Sequence, residues 1–374
     1  MKKKVIYFIE SFIVGGAEKV LIDIVNNLDA AKYDITVCSI FKHSVYKGYN
    51  STFETPFADH VKYKYLIDNK NRIAYLLFNY LLARIPRLLY SLLVGDKYDT
   101  VVAFYEGTPT YWVANAKLAK TKKIAWLHTS TELSQKGKGK SELDKQNNEY
   151  SSFEHIVAVS QDVAKSFTNL FPEQKDKIKV INNPVITEII RKKATAPIDI
   201  TKGKETTFVC VGRLTEAKGY DRWLKVLLNL KNSGYNFTSW IIGGGDSTPY
   251  QEFIDNNELQ ENVKLLGHKD NPYPYIMAAD WVACPSRIEG LSTVVMEALA
   301  LGKPIIATDC PGMKELLGDN EYGIVVDNNE KAIEDGLLDI LGNVSDKKRY
   351  ETNASIRGCS LDIKQAIGHI TNIL

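Results

Sequence analysis

The chain has 374 residues, a formal net charge of +2, 44% hydrophobic and 25% charged residues. That length exceeds what one core usually fills, so two domains are expected. The near-balanced charge excludes a field of the size nucleic acid demands, and no stretch reaches the roughly 20 apolar residues of a membrane span.

Five cysteines, Cys38, Cys210, Cys284, Cys310 and Cys359, are odd in number and scattered, without zinc-ligand spacing. Three follow or lie within apolar runs, the pattern of buried free thiols in a reducing compartment. The N-terminal "MKKKVIYFIESF" has a short apolar stretch broken by Glu10, which reads as a first strand rather than a signal peptide. The expected location is cytoplasmic, with attachment to the inner face of the membrane at most.

In chain order, "KVIYFIES" is a strand, "VGGAEKVLIDIVNNL" a glycine turn opening an amphipathic helix, and "YDITVCSI" a second strand. This is a βαβ unit of a parallel sheet. Residues 70–94 are helical and strongly apolar, interrupted by Pro86. "DTVVAFYEG" and "KKIAWLH" are further buried strands, and "HIVAVSQDVAKSF" is a strand followed by a helix capped by Ser160 or Asp162. "SQKGKGKSELDK", residues 134–145, reads as a loop in which three lysines alternate with glycines.

After "KIKVINNPV" the chain turns polar and proline-containing through "RKKATAPIDITKGKE", which marks the domain boundary. The pattern then restarts as alternating near-continuous apolar strands and helices, from "TTFVCVGRL" to "YGIVVD". The expected architecture is α/β: two Rossmann-like, doubly wound parallel-sheet domains facing an interdomain cleft. The first covers 1–186, completed by a C-terminal helix over 360–374, and the second covers 187–359.

Six features could carry chemistry. In "RIEGLSTVVMEALALGKPIIATD", Glu289 lies in the loop after a strand and Glu297 just over one turn into the following helix, with seven residues between them. A helix N-terminus offers unpaired N–H groups and a positive dipole end, so the amides from Gly290 through Leu291 and Ser292 to Thr293 suit an anion or sugar hydroxyls. A carboxylate at Glu297 suits a vicinal diol such as ribose. The plainer reading is a solvated loop acid and a dipole-compensating acid.

In "VGRLTEAKGYDRWL", Arg213 and Lys218 combine a fork donor with a flexible ammonium, a pair suited to a departing diphosphate. Two surface cations are the alternative. Gly15 and Gly16 allow close backbone approach at the end of strand one, or make a bare turn. Gly243 in "IIGGGDS", His128 in "AWLHTS" and Glu106 in "FYEGTP" all sit at strand ends. Each has a structural reading beside a functional one. No dinucleotide fingerprint and no useful Asp-x-Asp metal motif is found.

Together, "GGAEKV", "WLHTS", "VGRLTEAKGYDRWL", "SRIEGLSTVVMEALALGKPIIATD" and "GIVVDNNEKAIEDGL" resemble, in order and along essentially the whole chain, the retaining glycosyltransferases of the GT-B fold, family 4. "FYEG" with "KIAWLHTS" is similar to the bacterial surface-polysaccharide branch. The resemblance implies a first domain that takes the acceptor and a second that takes the donor. It implies transfer of a hexose or N-acetylhexosamine from a nucleotide-diphosphate sugar, UDP by family frequency, to a saccharide or lipid-linked acceptor in surface-polysaccharide or glycolipid synthesis.

The resemblance also implies roles. Glu297 binds the ribose, Arg213 and Lys218 grip the diphosphate, and Glu289 holds donor-sugar hydroxyls. The amides of Gly290, Leu291 and Ser292 face the phosphates and sugar. Gly15 and Gly16 pass close to the diphosphate, and His128 touches the donor sugar near the reacting carbon. Gly243 belongs to the donor-binding set, and the base sits near Gly267 and His268. No metal and no cofactor is expected, since Arg213, Lys218 and the helix dipole supply positive charge. With no acid evident on the far face, front-face substitution is the expected mechanism.

Two stretches are candidate membrane contacts: 70–94, with Lys70, Arg72, Arg84 and Arg87 along an apolar segment, and 134–145. Three other functions share some of these features. A non-hydrolysing nucleotide-sugar epimerase has the same two-domain fold. A catalytically inactive nucleotide-sugar-binding partner would not need the intact charged set. A nicotinamide oxidoreductase is disfavoured by the missing fingerprint. Fold alone does not choose among them.

Overall fold

In the first sheet, seven parallel strands lie in the order β3-β2-β1-β4-β5-β6-β7. They are β1 (Lys3–Ile9), β2 (Tyr33–Phe41), β3 (Val61–Ile67), β4 (Thr100–Ala103), β5 (Lys122–Leu127), β6 (His155–Ala158) and β7 (Ile178–Val180). The second sheet has six parallel strands in the order β10-β9-β8-β11-β12-β13. These are β8 (Thr206–Val211), β9 (Phe237–Ile242), β10 (Val263–Gly267), β11 (Trp281–Cys284), β12 (Ile305–Thr308) and β13 (Ile324–Val326). The structure is a computed structural model describing residues 1–12, 15–44, 57–342, 346–361 and 363–374.

The chain divides into two units, Met1–Pro184 with Lys364–Leu374, and Val185–Ile363. The central strands of both sheets are buried on both faces: Val5, Ile6, Tyr7 and Phe8 of β1, and Phe208, Val209 and Cys210 of β8, are fully buried. This is why their sequences run apolar without alternation. Helices seat on the sheets through apolar stripes. Helix Tyr220–Asn232 buries Trp223, Leu224, Val226, Leu227 and Leu230, and the Trp223 indole donates to Ser239 Oγ at 3.0 Å. Helix Gln161–Leu170 is capped by Ser160, whose Oγ accepts from Val163 N at 3.2 Å.

Each sheet reverses its winding at one point, between β1 and β4 and between β8 and β11. In open α/β sheets, the loops beyond the carboxyl ends at such a point make the ligand crevice. The loops after β8 and β11 carry Arg213, Lys218 and Glu289. The loops after β1 and β4 carry Gly15, Gly16 and Glu106.

Two local expectations need correcting, and two elements were not anticipated. Residues 134–145 are not one loop: helix Lys140–Ser151 begins within them, and Glu142 accepts from the Gly139 N–H at 3.2 Å. Reading the glycines as loop signals overlooked that acid reaching back over the first turn. The polar segment after Pro184 contains helix Thr187–Lys193, tied down where Arg191 Nε donates to Ala300 O at 3.0 Å. Edge strand β3 carries lysines and tyrosines on exposed positions, so no apolar run marks it. The chain's last helix is Ile363–Ile373 rather than 360–374, and residue 362 lies outside the described residues. Of the cysteines, Cys38, Cys210, Cys284 and Cys310 are buried, Cys359 is exposed, and all are free thiols.

Candidate active site

In the C-terminal unit, pairing of Phe208 with Trp281 and of Val209 with Val282 sets β8 beside β11. Their carboxyl-end loops are therefore neighbours despite about seventy residues of chain between them. There Lys218 Nζ meets Glu289 Oε1 at 2.6 Å, with side chains 23% and 10% exposed. The same oxygen accepts from Ser286 Oγ at 2.7 Å, with Cys284 Sγ at 3.9 Å. Burial alone would push the Lys218 ammonium down, but the Glu289 carboxylate outweighs it, and Lys218 titrates above the ordinary lysine value.

Arg213 lies in the same loop. Leu214 N donates to Gly244 O at 2.8 Å and Gly212 N to Ile242 O at 2.9 Å, zipping this loop to the one after β9. The zip explains Gly243: a Cβ there would stand 1.8 Å from Gly212 O. Gly243 thus serves the close approach of two loops, one of which carries Arg213. Its own N–H donates to Gly267 O at 2.9 Å, which brings the end of β10 alongside. His268 is exposed, with Nε2 at 3.2 Å from Asp270 Oδ1.

Helix Thr293–Ala300 starts at Ser292, which stands at its N-cap without a side-chain cap hydrogen bond. Gly290, Leu291 and Ser292 are buried. Glu297, one turn into the helix, is only 6% exposed and accepts from Tyr273 Oη at 3.1 Å. It is therefore not a solvated acid. Tyr273, on helix Tyr273–Ala278, escaped the sequence reading.

Arg222 was also missed. It is 4% exposed, and its Nε and Nη2 donate to Pro285 O at 3.0 and 2.7 Å. Nη2 also reaches Ser286 O at 2.8 Å, and Nη1 reaches Asn328 O at 3.3 Å. One buried guanidinium therefore holds the loop that presents Ser286 and Glu289. The available signal was an arginine on the apolar face of an amphipathic helix, where a charge persists only if it is fully hydrogen-bonded.

In the N-terminal unit, β4 and β5 pair, so Glu106 and His128 meet. Glu106 Oε1 accepts from His128 N at 2.6 Å, Thr129 N at 3.0 Å and Thr129 Oγ1 at 3.3 Å. Glu106 is thus a brace for the "LHTS" loop. The His128 ring stacks on Tyr105 with centroids 5.5 Å apart, and its Nε2 lies 3.0 Å from Phe104 O. A carbonyl only accepts, so Nε2 carries the hydrogen and Nδ1 is the acceptor of the neutral ring. Burial pushes the His128 pKa down, against the opposing pull of Glu106. Gly15 is the N-cap of helix Gly16–Asn27, and a Cβ on it would stand 2.5 Å from Glu18 Oε2. Across the switch of this sheet, Thr108 Oγ1 donates to Glu10 Oε1 at 2.7 Å. Among the described residues, no three His, Cys, Asp or Glu side chains form a metal-ligand cluster.

Comparison with known families agrees with this layout. Residues 14–189 match the family model described as Glycosyltransferase Family 4, and residues 192–357 match Glycosyl transferases group 1. The chain is built from these two glycosyltransferase domains. A curated relative from Campylobacter jejuni, N-acetylgalactosamine-N,N'-diacetylbacillosaminyl-diphospho-undecaprenol 4-alpha-N-acetylgalactosaminyltransferase, is 29% identical over 216 residues. The match covers 57% of this chain and 58% of that relative's length. HepE from Anabaena, solved in complex with UDP, has a TM-score of 0.75 at 19% identity, covering 100% of this chain and 99% of that one. A glycosyltransferase from Rickettsia africae ESF-5 has a TM-score of 0.78 at 17% identity, covering 100% and 97%. At such identities the likeness carries the fold, and the glycosyltransferase domains have the GT-B fold expected from the sequence.

Proposed function

We propose that the protein is a retaining glycosyltransferase. It moves a hexose or N-acetylhexosamine from a nucleotide-diphosphate sugar, with UDP as the nucleotide, to a saccharide or lipid-linked acceptor in surface-polysaccharide or glycolipid synthesis. One observation carries the reading: the half-buried Lys218–Glu289 contact, at the switch point of the C-terminal sheet and in the loops that hold Arg213 and the helix start at Ser292. The UDP complex of HepE and the alpha-linked transfer and diphospho-undecaprenol in the Campylobacter relative's name support the choice of donor and acceptor.

In the proposed reaction the bond from the sugar's anomeric carbon to the phosphate oxygen breaks, and its electron pair leaves with the diphosphate. The acceptor hydroxyl bonds to that carbon from the same face and passes its proton to a donor phosphate oxygen. Arg213 and Lys218 stabilise the growing diphosphate charge more in the transition state than in the ground state. An ammonium has three donors, so Lys218 can hold Glu289 and a phosphate together. Glu289 takes sugar hydroxyls, Glu297 the ribose, and the amides of Gly290, Leu291 and Ser292 the phosphate and sugar oxygens. The base lies near Gly267 and His268. Gly15, Gly16 and His128 keep the roles the resemblance implies. No metal ion is assigned a role.

The decisive experiment is a donor-hydrolysis and transfer screen across nucleotide sugars with wild type and Lys218→Ala. Removing one such cation should lower turnover at saturating donor by roughly 10²–10³-fold, the effect of one oxyanion-type donor. Normal turnover in Lys218→Ala refutes the assignment. Epimerised nucleotide sugar released without acceptor identifies the epimerase instead. UDP at about 100 times its dissociation constant should add about 2.7 kcal/mol of stability, and a larger shift with GDP or ADP would reassign the base.

A further inference from the structure

Helices Arg72–Arg84 and Pro86–Leu93 are apolar on two faces. The inward face buries Phe78, Leu82, Leu89 and Tyr90. The outward face leaves Ile73 78%, Leu76 57%, Leu77 54% and Tyr80 54% exposed, at spacings of three, one and three residues. It continues through Ile85, Leu88 and Leu92, which are 40%, 53% and 74% exposed. A helix with two apolar faces normally lies inside a core. A stripe of large aliphatic and aromatic groups facing outward over two consecutive helices marks an interaction surface.

The charges select the occupant. Residues 70–94 contain Lys70, Arg72, Arg84 and Arg87 and no Asp or Glu. Arg84 stacks 3.9 Å over the Tyr80 ring, holding a cation against the stripe. Arg87 also lines a cavity of about 500 Å³ together with Lys117. The preceding acid, Asp68, is paired with Lys42 at 3.2 Å. A second copy docked through the same patch would set these cations against their own duplicates, because a two-fold interface pairs a surface with itself. An anionic surface is complementary instead. Among the described residues no helix is long and apolar enough to cross a bilayer, so contact would be interfacial.

We infer that the Ile73–Leu92 face docks in the plane of an anionic lipid bilayer, with the aliphatic groups at the acyl boundary and the arginines at the headgroups. This rests on the exposed face and holds whatever sugar the enzyme transfers. The test is co-sedimentation of the full chain with phosphatidylglycerol and with phosphatidylcholine vesicles, at low and high salt. Binding is expected to the anionic vesicles and to weaken with salt.

The double variant Leu76→Glu/Leu92→Glu should bind at least about tenfold more weakly, since one fully buried leucine is worth roughly that factor. Arg72→Gln should cost roughly fivefold on anionic vesicles and nothing on neutral ones. Lys218→Ala should bind like wild type, separating this inference from the catalytic proposal. Unchanged circular dichroism and UDP-induced thermal shift in the double variant confirm that it is folded. Three results overturn the inference: no binding to anionic vesicles at low salt, equal binding to neutral vesicles, or a dimer in sedimentation that the double variant abolishes without vesicle binding.

Discussion

Arg222 shows how a buried residue can shape a site through the backbone that carries it. Its guanidinium saturates the carbonyls of Pro285 and Ser286, and Ser286 Oγ in turn donates to Glu289 at 2.7 Å. Arg222→Met removes both donors, Nε and Nη2, from Pro285 O, a buried acceptor whose loss of partners costs about 1–3 kcal/mol, while Ser286 O keeps the Thr308 hydroxyl. Thermal unfolding should therefore show a loss of about 1–3 kcal/mol, and transferase turnover should fall with it. Arg222→Lys should recover little, because an ammonium cannot span three carbonyls as a planar fork does. If Arg222→Met unfolds with wild-type stability, the guanidinium is not what holds the loop. Lys218 and Glu289 were legible in the sequence because a strand, a loop and a helix start are local patterns. Arg222 and Tyr273 were not. Their partners lie 63 and 24 residues away, and only the packing of β8, β10 and β11 brings them together.

At the scale of the element, the loop from β8 into helix Tyr220–Asn232 depends on Gly219. Its φ is +70°, and a Cβ would stand 2.1 Å from Pro285 O. Gly219→Ala therefore carries two penalties, left-handed backbone strain of about 1–3 kcal/mol and displacement of the chain that leads to Glu289. The expected outcome is a lower melting temperature together with weaker donor binding by calorimetry. A variant with unchanged donor affinity would show that the two loops move independently. Elements were legible where burial wrote them as apolar runs, as in β1, β8 and β12. Strand β3 and helix Thr187–Lys193 were not, since an edge strand keeps its lysines in water and a short helix held by one arginine needs no apolar stripe. The expected loop over 134–145 failed for a related reason: glycine and lysine spacing said nothing of Glu142 closing the first turn of a helix.

Across the whole molecule, the doubled winding was legible because strand and helix patterns restart after a polar break, and two family models divide the chain there. The pH dependence of stability was not legible, since it depends on depth of burial. Lys123 and Lys303, one in each unit, are 8% and 9% exposed, and burial lowers each to about 8. In the unfolded chain they keep their protons to about 10.4. Between these values the unfolded state binds more of these protons than the folded one, so the two lysines raise stability with pH through this window. Buried Cys38, Cys210, Cys284 and Cys310 and buried Tyr7, Tyr90, Tyr150 and Tyr220 act in the opposite sense: desolvation raises their pKa values, while in the unfolded chain thiols ionise from about 8.5 and phenols from about 10, so each set lowers stability beyond its point. Four thiols outweigh two ammonium groups, so denaturant midpoints should decline above about pH 8.5, and more steeply above about pH 10. Lys123→Met and Lys303→Met should each steepen the decline between about pH 8 and 10.4 by about 1–2 kcal/mol, because each removes a group that offsets it. Variants whose decline matches wild type would mean that both ammonium groups stay charged in the folded protein.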